Sequence, residues 1–139
     1  MDACPFCEIA RNTPPSTAWA TDALVVFADH RPIRPGHVQI VTRDHYAVFD
    51  ELPPALAAEI VMLGQRIARV QKRLYGVRRV GFAFTGNEVA HVHAHVVPLH
   101  AADDITSARF TDGTAVLVSE ERQAQTARAL QQVLEAEDG

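Results

Sequence analysis

Three histidines alternate with small apolar residues near the middle of the chain, in the segment His91-Val92-His93-Ala94-His95-Val96-Val97. This period of two is that of a β-strand, in which successive side chains point to opposite faces. The three imidazoles would therefore project from one face, spaced about 6.5–7 Å apart. Core packing does not require a row of imidazoles, so the segment predicts a site for a phosphate or a metal ion.

Several interpretations of this histidine strand are open. All three imidazoles could bind a catalytic metal ion that keeps an open coordination position. A histidine-rich edge strand without any function is the plain structural alternative. The remaining interpretation is nucleophilic catalysis, in which a neutral imidazole attacks an α-phosphorus in line and forms a phosphohistidine-type intermediate that water cleaves. The flanking imidazoles would then stabilise charge on the phosphate oxygens.

A second chemical cluster is the Cys4-Pro5-Phe6-Cys7 segment near the N-terminus. Two cysteines at this spacing supply half of a tetrahedral zinc site, and two nitrogen ligands would complete it. The spacing does not choose among the histidines of the chain, which are His30, His37, His45, His91, His93, His95 and His100. A thioredoxin-like redox pair requires a parallel strand–helix context that this sequence does not supply. Two unpaired thiols are the simplest alternative.

Length and composition predict one globular domain over residues 1–139, with 47% hydrophobic and 22% charged residues. The net charge of −4 argues against a nucleic-acid-binding surface, although a local pocket can still be electropositive. No apolar run approaches the roughly 20 residues of a membrane span, and no signal peptide is recognisable. Two cysteines fit a reducing compartment better than a disulfide framework. We therefore expect a cytoplasmic protein that binds neither membranes nor nucleic acids.

The predicted secondary structure places the histidine strand in an α+β fold. The firmest element is a helix over residues 53–75, where apolar residues recur at intervals of three and four and Gly76 provides a stop. A second helix is predicted over residues 120–135. Strands are predicted around 19–20, 24–28, 37–42, 80–85, 91–97 and 115–118. Because several connections are too short for crossover helices, we expect an antiparallel sheet of about five strands.

Three separated motifs together resemble the histidine triad (HIT) superfamily, whose signature alternates three histidines with apolar residues. That signature is HVHAHVV here, followed by Pro98. CPFCEI resembles the N-terminal zinc and base-pocket segment of many bacterial members, and VVFADHRPIRPGHVQIVTRDH resembles their strand–loop–strand segment. The resemblance covers about Cys4 to His100. It implies a HIT-like fold, a homodimer and a nucleotide substrate, with a purine base.

The resemblance also implies roles for the triad and the cysteines. His93, the middle histidine, would be the nucleophile, and His95 would contact the phosphate. A structural zinc ion would be bound by a closed set of four ligands, which are Cys4, Cys7, His45 and His91. Such a site would hold the N-terminus against the catalytic strand rather than activate water.

The nucleoside contacts follow from the same resemblance. Asp29 occupies the position of an acidic residue that binds the ribose hydroxyls. An apolar slot for the base is implied at Phe6, Ile9, Phe27 and His30, although the three apolar residues could equally be core. Asn87 falls where many members have a glutamine, and could donate an amide hydrogen bond to the phosphate or the leaving group. Glu88 departs from the family pattern, in which a hydroxyl residue stands there.

The function implied is that of a zinc-stabilised hydrolase or transferase that cleaves a bond at the α-phosphate of a nucleotide conjugate. The leaving group could be an amine, a second phosphate chain as in dinucleoside polyphosphates, or a sugar phosphate. The alternative is a non-catalytic module that senses nucleotides or presents an interaction surface around a structural zinc. His37 is expected to be structural, and His100 has no predicted role.

Overall fold

The computed structural model describes residues 4–85, 89–112 and 114–138. Helices and strands follow one another in the order α1 (Pro5–Asn12), β1 (Thr17–Ala20), β2 (Leu24–Ala28), β3 (Val38–Thr42), α2 (Pro54–Tyr75), β4 (Arg79–Thr85), β5 (His93–Leu99), α3 (Ala108–Thr111) and α4 (Glu120–Asp138). Short 3-10 helices cover Phe49–Glu51 and Asp104–Thr106. Within these described ranges, no helix is long and apolar enough to cross a membrane.

The five strands form one antiparallel sheet in the order β1-β2-β3-β5-β4. This arrangement confirms the predicted α+β fold with an antiparallel sheet, a long helix and a C-terminal helix. The histidine strand β5 lies between β3 and β4, so it is an interior strand rather than an edge strand. Its register places His93 opposite both Val41 and Thr85, and His95 opposite Gln39.

The two faces of the sheet bury different kinds of side chain. On one face, alternate residues of β3 and β5 pack with α2 and α4 in the main core, as Ile40, Ala94 and Val96 show. Full burial of a valine or isoleucine side chain of this core contributes about 1.5–3 kcal/mol. On the other face, Phe6 of α1 packs beside Val41 in a smaller cluster. The histidines of β5 share this second face, because they alternate with the core residues.

Helix α2 fixes the loop that precedes β3. Its Gln71 side chain is fully buried and donates hydrogen bonds to the backbone carbonyls of Gly36 and Val96, both at 2.9 Å. Gly36 has a φ of +92°, and a Cβ atom there would collide with the ring of Tyr75 on the same helix. Glycine is therefore required by both the backbone and the close approach. The next residue, His37, enters the functional site from this fixed point.

Two local features differ from the sequence-based expectation. Helix α1 was not predicted; it begins because the Cys4 sulfur accepts a hydrogen bond from the Cys7 N–H and Pro5 occupies the first turn. The strand predicted over residues 115–118 is wrong, since this segment does not pair with the sheet. Ala115 instead packs against Ile33, and the Val118 N–H donates to the His30 carbonyl. The segment therefore crosses over the loop between β2 and β3.

Candidate active site and metal centre

Hydrogen bonds to the backbone and to a neighbouring strand fix the tautomer of His93. Its Nδ1 lies 2.8 Å from the carbonyl oxygen of His91, and its Nε2 lies 3.0 Å from the hydroxyl of Thr85. A carbonyl oxygen only accepts, so Nδ1 carries the proton and Nε2 keeps its lone pair. The Thr85 hydroxyl then donates to Nε2. The ring is 2% exposed and presents the electron pair that a nucleophile requires.

A chain of hydrogen bonds gives His95 the opposite tautomer. The Ile33 N–H donates to Nδ1 of His37 at 3.1 Å, so the proton of the His37 ring lies on Nε2. That Nε2 is 2.9 Å from Nδ1 of His95, which therefore accepts the hydrogen bond. His95 then carries its proton on Nε2. The strand consequently places an acceptor nitrogen at His93 and a donor nitrogen at His95, two residues apart.

Burial keeps both rings of this chain neutral. Loss of solvent lowers the pKa of His95 to about 3, with His37 adding to the shift. Burial likewise lowers the pKa of His37, against the opposing effect of Asp29. Both imidazoles are uncharged at neutral pH, as the relay of single N–H donors requires.

The free energy of unfolding is expected to fall as the pH drops below about 6.5, the ordinary pKa of histidine in an unfolded chain. The unfolded state then binds protons that buried His37 and His95 do not, so stability is lost between about pH 6.5 and the folded pKa of about 3 for His95. Each ring contributes up to about 1.4 kcal/mol per pH unit. Urea titrations at several pH values in this range give the free energy of unfolding as a function of pH. This free energy should change less steeply with pH in His95→Gln than in the wild type. An unchanged pH dependence would contradict a neutral, buried His95.

Asp29 lies at the other end of the same network. Its Oδ1 accepts the Arg31 N–H and its Oδ2 accepts the side-chain amide of Gln39, each at 2.8 Å. Burial alone would raise the pKa of this carboxyl, but His37 and the Arg31 N–H outweigh it and hold the pKa below its usual range. The Nε2–H of the neutral His37 ring lies 3.3 Å from Oδ2, so its dipole favours the ionised carboxylate together with the two hydrogen bonds. The result is a buried, ionised carboxylate held in one orientation.

One cavity of about 540 Å³ connects these groups. Its described lining residues are Pro5, Phe6, Asp29, His30, Arg31, Ile33, His37, Gln39, Val89, His93, His95, Arg109, Phe110 and Ala115. Both histidines of β5 and the carboxylate therefore open onto the same space. A cavity of this size fits a small ligand that carries both apolar and charged parts.

The four residues predicted for the base slot divide into two groups. Phe6 and His30 line the cavity, and the ring of Phe6 lies edge-on to His93 with 4.9 Å between centroids. Phe27 and Ile9 pack in the small cluster behind Phe6, with 5.5 Å between the two phenylalanine ring centroids. The structure therefore brings two of these side chains to the cavity and places the other two behind it. Asn87 and Glu88 lie outside the described residues.

The predicted metal ligands converge on one point beside the cavity. Ligand atoms of Cys4, Cys7, His45 and His91 all lie within 4.8 Å of one another. Nδ1 of His91 is 3.3 and 3.4 Å from the two sulfurs, and Nδ1 of His45 is 3.2 Å from Cys7. With zinc bonds of about 2.3 Å to sulfur and about 2.0 Å to nitrogen, tetrahedral geometry separates these atoms by about 3.5 Å. The cluster therefore fits a tetrahedral zinc ion.

The backbone orients the His91 ring toward the two cysteine sulfurs. Its Nε2 donates to the Thr42 carbonyl at 2.8 Å, which leaves Nδ1 unprotonated and aimed at the sulfurs. This residue precedes β5 rather than belonging to it. It therefore does not continue the row formed by His93 and His95. The alternative in which all three histidines bind one catalytic metal has no support in this geometry.

No sequence pattern predicted a role for several residues that the structure places at the site. His37 was expected to be structural, yet it makes the hydrogen bond that orients His95. In the sequence, Thr85 and Gln39 appear as ordinary strand residues. Once the sheet order is known, the position of Gln39 opposite His95 indicates that this glutamine belongs to the site. Arg109 and Phe110 reach the cavity from a segment without a recognisable pattern. His100 is exposed, and only its backbone N–H makes a described contact, to Asp104.

Comparison with known proteins agrees with this fold and site. The family model of the HIT domain matches residues 11–102, which is more than half of the chain. The chain therefore belongs to the HIT family.

Individual relatives are distant but cover most of the chain. An uncharacterised HIT-like protein of Mycobacterium tuberculosis is 28% identical over an alignment of 141 positions, gaps included, which covers 97% of this chain and 95% of that protein. Adenosine 5'-monophosphoramidase of Saccharomyces cerevisiae is 30% identical over 98 residues, or 69% of this chain and 62% of that enzyme. A crystal structure of a zinc-bound histidine triad family protein from Mycobacterium smegmatis superposes with a TM-score of 0.78 at 24% identity, covering 98% of this chain and 96% of that one. The last similarity establishes a shared fold.

Proposed function

We propose that this protein hydrolyses or transfers nucleotides by cleaving a bond between the α-phosphate and a leaving group, through a covalent intermediate on His93. The observation that carries the proposal is the fixed pair of tautomers. His93, with an unprotonated Nε2, and His95, with a protonated Nε2, both line one cavity that Asp29 also lines. A hydrolase among the relatives, the yeast phosphoramidase, supports the same reaction class.

In the first step, Nε2 of His93 forms a bond to the α-phosphorus while the bond to the leaving group breaks. The leaving group departs with the electron pair of that bond and takes up a proton from solvent, which the second step replaces. His93 becomes a nucleotidyl-imidazolium, whose positive charge is stabilised because its Nδ1–H donates to the His91 carbonyl at 2.8 Å. His95 donates its Nε2–H to a phosphate oxygen, where negative charge increases in the transition state. The Thr85 hydroxyl must turn away from Nε2 before attack.

In the second step, water attacks the same phosphorus and the bond to His93 breaks. The electron pair returns to Nε2, and a proton is released with the nucleoside monophosphate. If another acceptor replaces water, the same intermediate yields a transferred nucleotide.

The nucleoside would occupy the part of the cavity bounded by Asp29, Phe6 and His30. Asp29 would accept hydrogen bonds from the ribose hydroxyls, and the rings of Phe6 and His30 would flank a purine base, with Ile9 and Phe27 supporting Phe6 from behind. Asn87 would contribute an amide hydrogen bond to the phosphate or the leaving group. These roles extend the family resemblance to residues of this chain.

We assign a structural zinc ion to Cys4, Cys7, His45 and His91. The protonation state of His91 and the sulfur–nitrogen distances support this assignment. The ion would supply no catalytic step, because four protein ligands leave no open position for water. It would join α1, which carries Phe6, to the residues that lead into β5.

A cytoplasmic homodimer is part of the same proposal. Strand β4 is an edge strand, and apolar side chains are exposed on it and on α2, with Phe82 at 37% and Met62 at 65%. Pairing of two copies through this edge and helix would cover them. Light scattering should give twice the chain mass, and a monomer at micromolar concentration would contradict the dimer.

A substrate panel tests the proposed function. Adenosine and guanosine versions of a phosphoramidate, a dinucleoside tetraphosphate and a phosphosulfate anhydride are compared by kcat/KM, with binding of each nucleoside monophosphate measured by calorimetry. We expect turnover of at least one class and a preference between the two purines. Nucleotide binding without turnover of any conjugate would instead identify the non-catalytic sensing module. The absence of both would overturn the assignment to nucleotides.

A further inference from the structure

The segment that follows the histidine strand is fixed against the site by a buried carboxylate. Asp104 is 1% exposed, and its two oxygens accept hydrogen bonds from the Arg34 guanidinium, each at 2.9 Å. The N–H groups of His100 and Ala101 donate to the same carboxylate at 2.8 and 3.0 Å. The hydrogen bonds from Arg34 hold the pKa of Asp104 far below its usual range. Residues 100–112 are thereby attached to the loop that carries Asp29 and His37.

Helix α3 of this segment lies beside His95, the histidine proposed to contact the phosphate. The ring of Phe110 is edge-on to His95 with 4.9 Å between centroids, and 6.3 Å from the ring of His37. The Ser107 hydroxyl caps this short helix by accepting the Phe110 N–H. The wall formed by α3 therefore borders the end of the cavity where His95 would hold the phosphate.

Arg109 brings a positive charge into this wall. Its guanidinium lies 3.5 Å from both the Ile33 carbonyl and an Asp104 oxygen, and both contacts are at the limit for hydrogen bonds. The side chain is 46% exposed and lines the cavity together with His93 and His95. It is therefore free to turn toward a ligand at little cost.

The charge around the cavity is unbalanced in favour of cations. Arg31 and Arg109 both line it, whereas Asp29 is the only acidic residue among the described lining residues. Both Asp29 oxygens already accept hydrogen bonds, from the Arg31 N–H and from the Gln39 side chain. In the proposed function this carboxylate also binds the ribose hydroxyls. This local positive field contrasts with the net charge of −4 of the whole chain.

We infer that Arg109 binds negative charge on the leaving group, so that the preferred conjugates carry a phosphate chain or a sulfate beyond the α-phosphate rather than a neutral amine. This inference rests on the proposed function. The nucleoside is placed at Phe6, His30 and Asp29. Arg109 instead lies on α3, whose Phe110 contacts His95 at the end of the cavity assigned to the phosphate. A guanidinium binds phosphate and sulfate oxygens through paired N–H donors, and a neutral amine offers no such partner.

Arginine variants measured with two matched substrates test this inference. The substrates are an adenosine polyphosphate conjugate and an adenosine phosphoramidate with a neutral amine. Arg109→Gln should lower kcat/KM for the polyphosphate conjugate by about tenfold or more, the usual effect of losing one charge-assisted hydrogen bond. It should change the phosphoramidate value by less than about twofold. Arg109→Lys should restore part of the loss.

Arg128→Gln is the control, because it removes the same charge from an exposed position on α4 that does not line the cavity. It should leave both substrates unchanged. Equal losses on both substrates in Arg109→Gln would place the arginine at the shared nucleotide and would overturn the inference. The absence of any loss on either substrate would also overturn it. Those outcomes leave the proposed function intact, whereas its own failure is seen when the wild-type protein turns over neither substrate.

Discussion

Replacing His93 with alanine is expected to abolish turnover while nucleotide binding and metal content stay close to wild type. The substitution removes the Nε2 lone pair that would form the bond to phosphorus, and neither His95 nor the Asp29 carboxylate can replace it, because His95 carries its proton on the nitrogen that would face the substrate. We expect kcat to fall by about 10³-fold or more, as for loss of other covalent nucleophiles. Steady-state kinetics and calorimetric binding of adenosine monophosphate measure the two effects separately.

His100→Ala is the matched control for this experiment. It makes the same change of side chain at an exposed position, where the backbone N–H rather than the ring contacts Asp104. Its kcat should equal that of the wild type. Retention of activity within about tenfold in His93→Ala would be incompatible with a covalent step on this residue.

Loss of the metal centre should give the second largest effect, on stability rather than on chemistry. Cys4→Ser is the sharpest variant, because serine can still cap α1 in place of the Cys4 sulfur while it removes a thiolate ligand. We expect bound zinc to fall from one ion per chain to a small fraction. The free energy of unfolding should fall by about 3 kcal/mol or more, since binding energy at a structural site is also folding energy.

Elemental analysis and urea unfolding measure these two quantities, and chelator-treated wild-type protein is the control. That protein and Cys4→Ser should unfold at similar urea concentrations, because both lack the ion. Unchanged zinc stoichiometry in Cys4→Ser would remove Cys4 from the ligand set. Normal stability of the zinc-free protein would contradict a structural role for the ion.

Strong local periodicity explains which elements could be predicted from the sequence. Helix α2 has an apolar residue at every third or fourth position, and the structure buries Ile60, Ile67 and Val70 from that series. The alternation in the histidine segment correctly places Ala94 and Val96 in the core. In both elements the burial pattern is encoded within a short stretch of chain, so sheet order was not needed to recognise it.

The residues around the histidines could not be predicted in the same way, because their roles depend on contacts distant in sequence. The bond between His37 and His95 spans 58 positions, and the bond from Arg34 to Asp104 spans 70. Neither pair has a spacing pattern. The strand expected over residues 115–118 failed for a related reason: β-branched composition alone does not provide a partner strand, and this segment packs across the loop at Ile33 instead.

Spacing alone predicts only half of the candidate metal centre, for the same physical reason, and the family resemblance was needed to name the other two residues. Two cysteines three positions apart must lie close together, so one half of the site follows from local geometry. The other two candidate ligands are His45 and His91, and the spacing could not select them from the remaining histidines. In the structure, the Thr42 carbonyl fixes the orientation of His91, a contact that exists only after β3 and β5 have paired.

The stereochemical course at phosphorus tests the central claim most directly. A substrate with a chiral phosphorothioate at the α-position is hydrolysed in heavy-oxygen water, and the configuration of the product is determined. Attack by Nε2 of His93 followed by attack of water inverts the phosphorus twice, so we expect overall retention. Overall inversion would show that water attacks the substrate directly and would contradict the covalent role of His93.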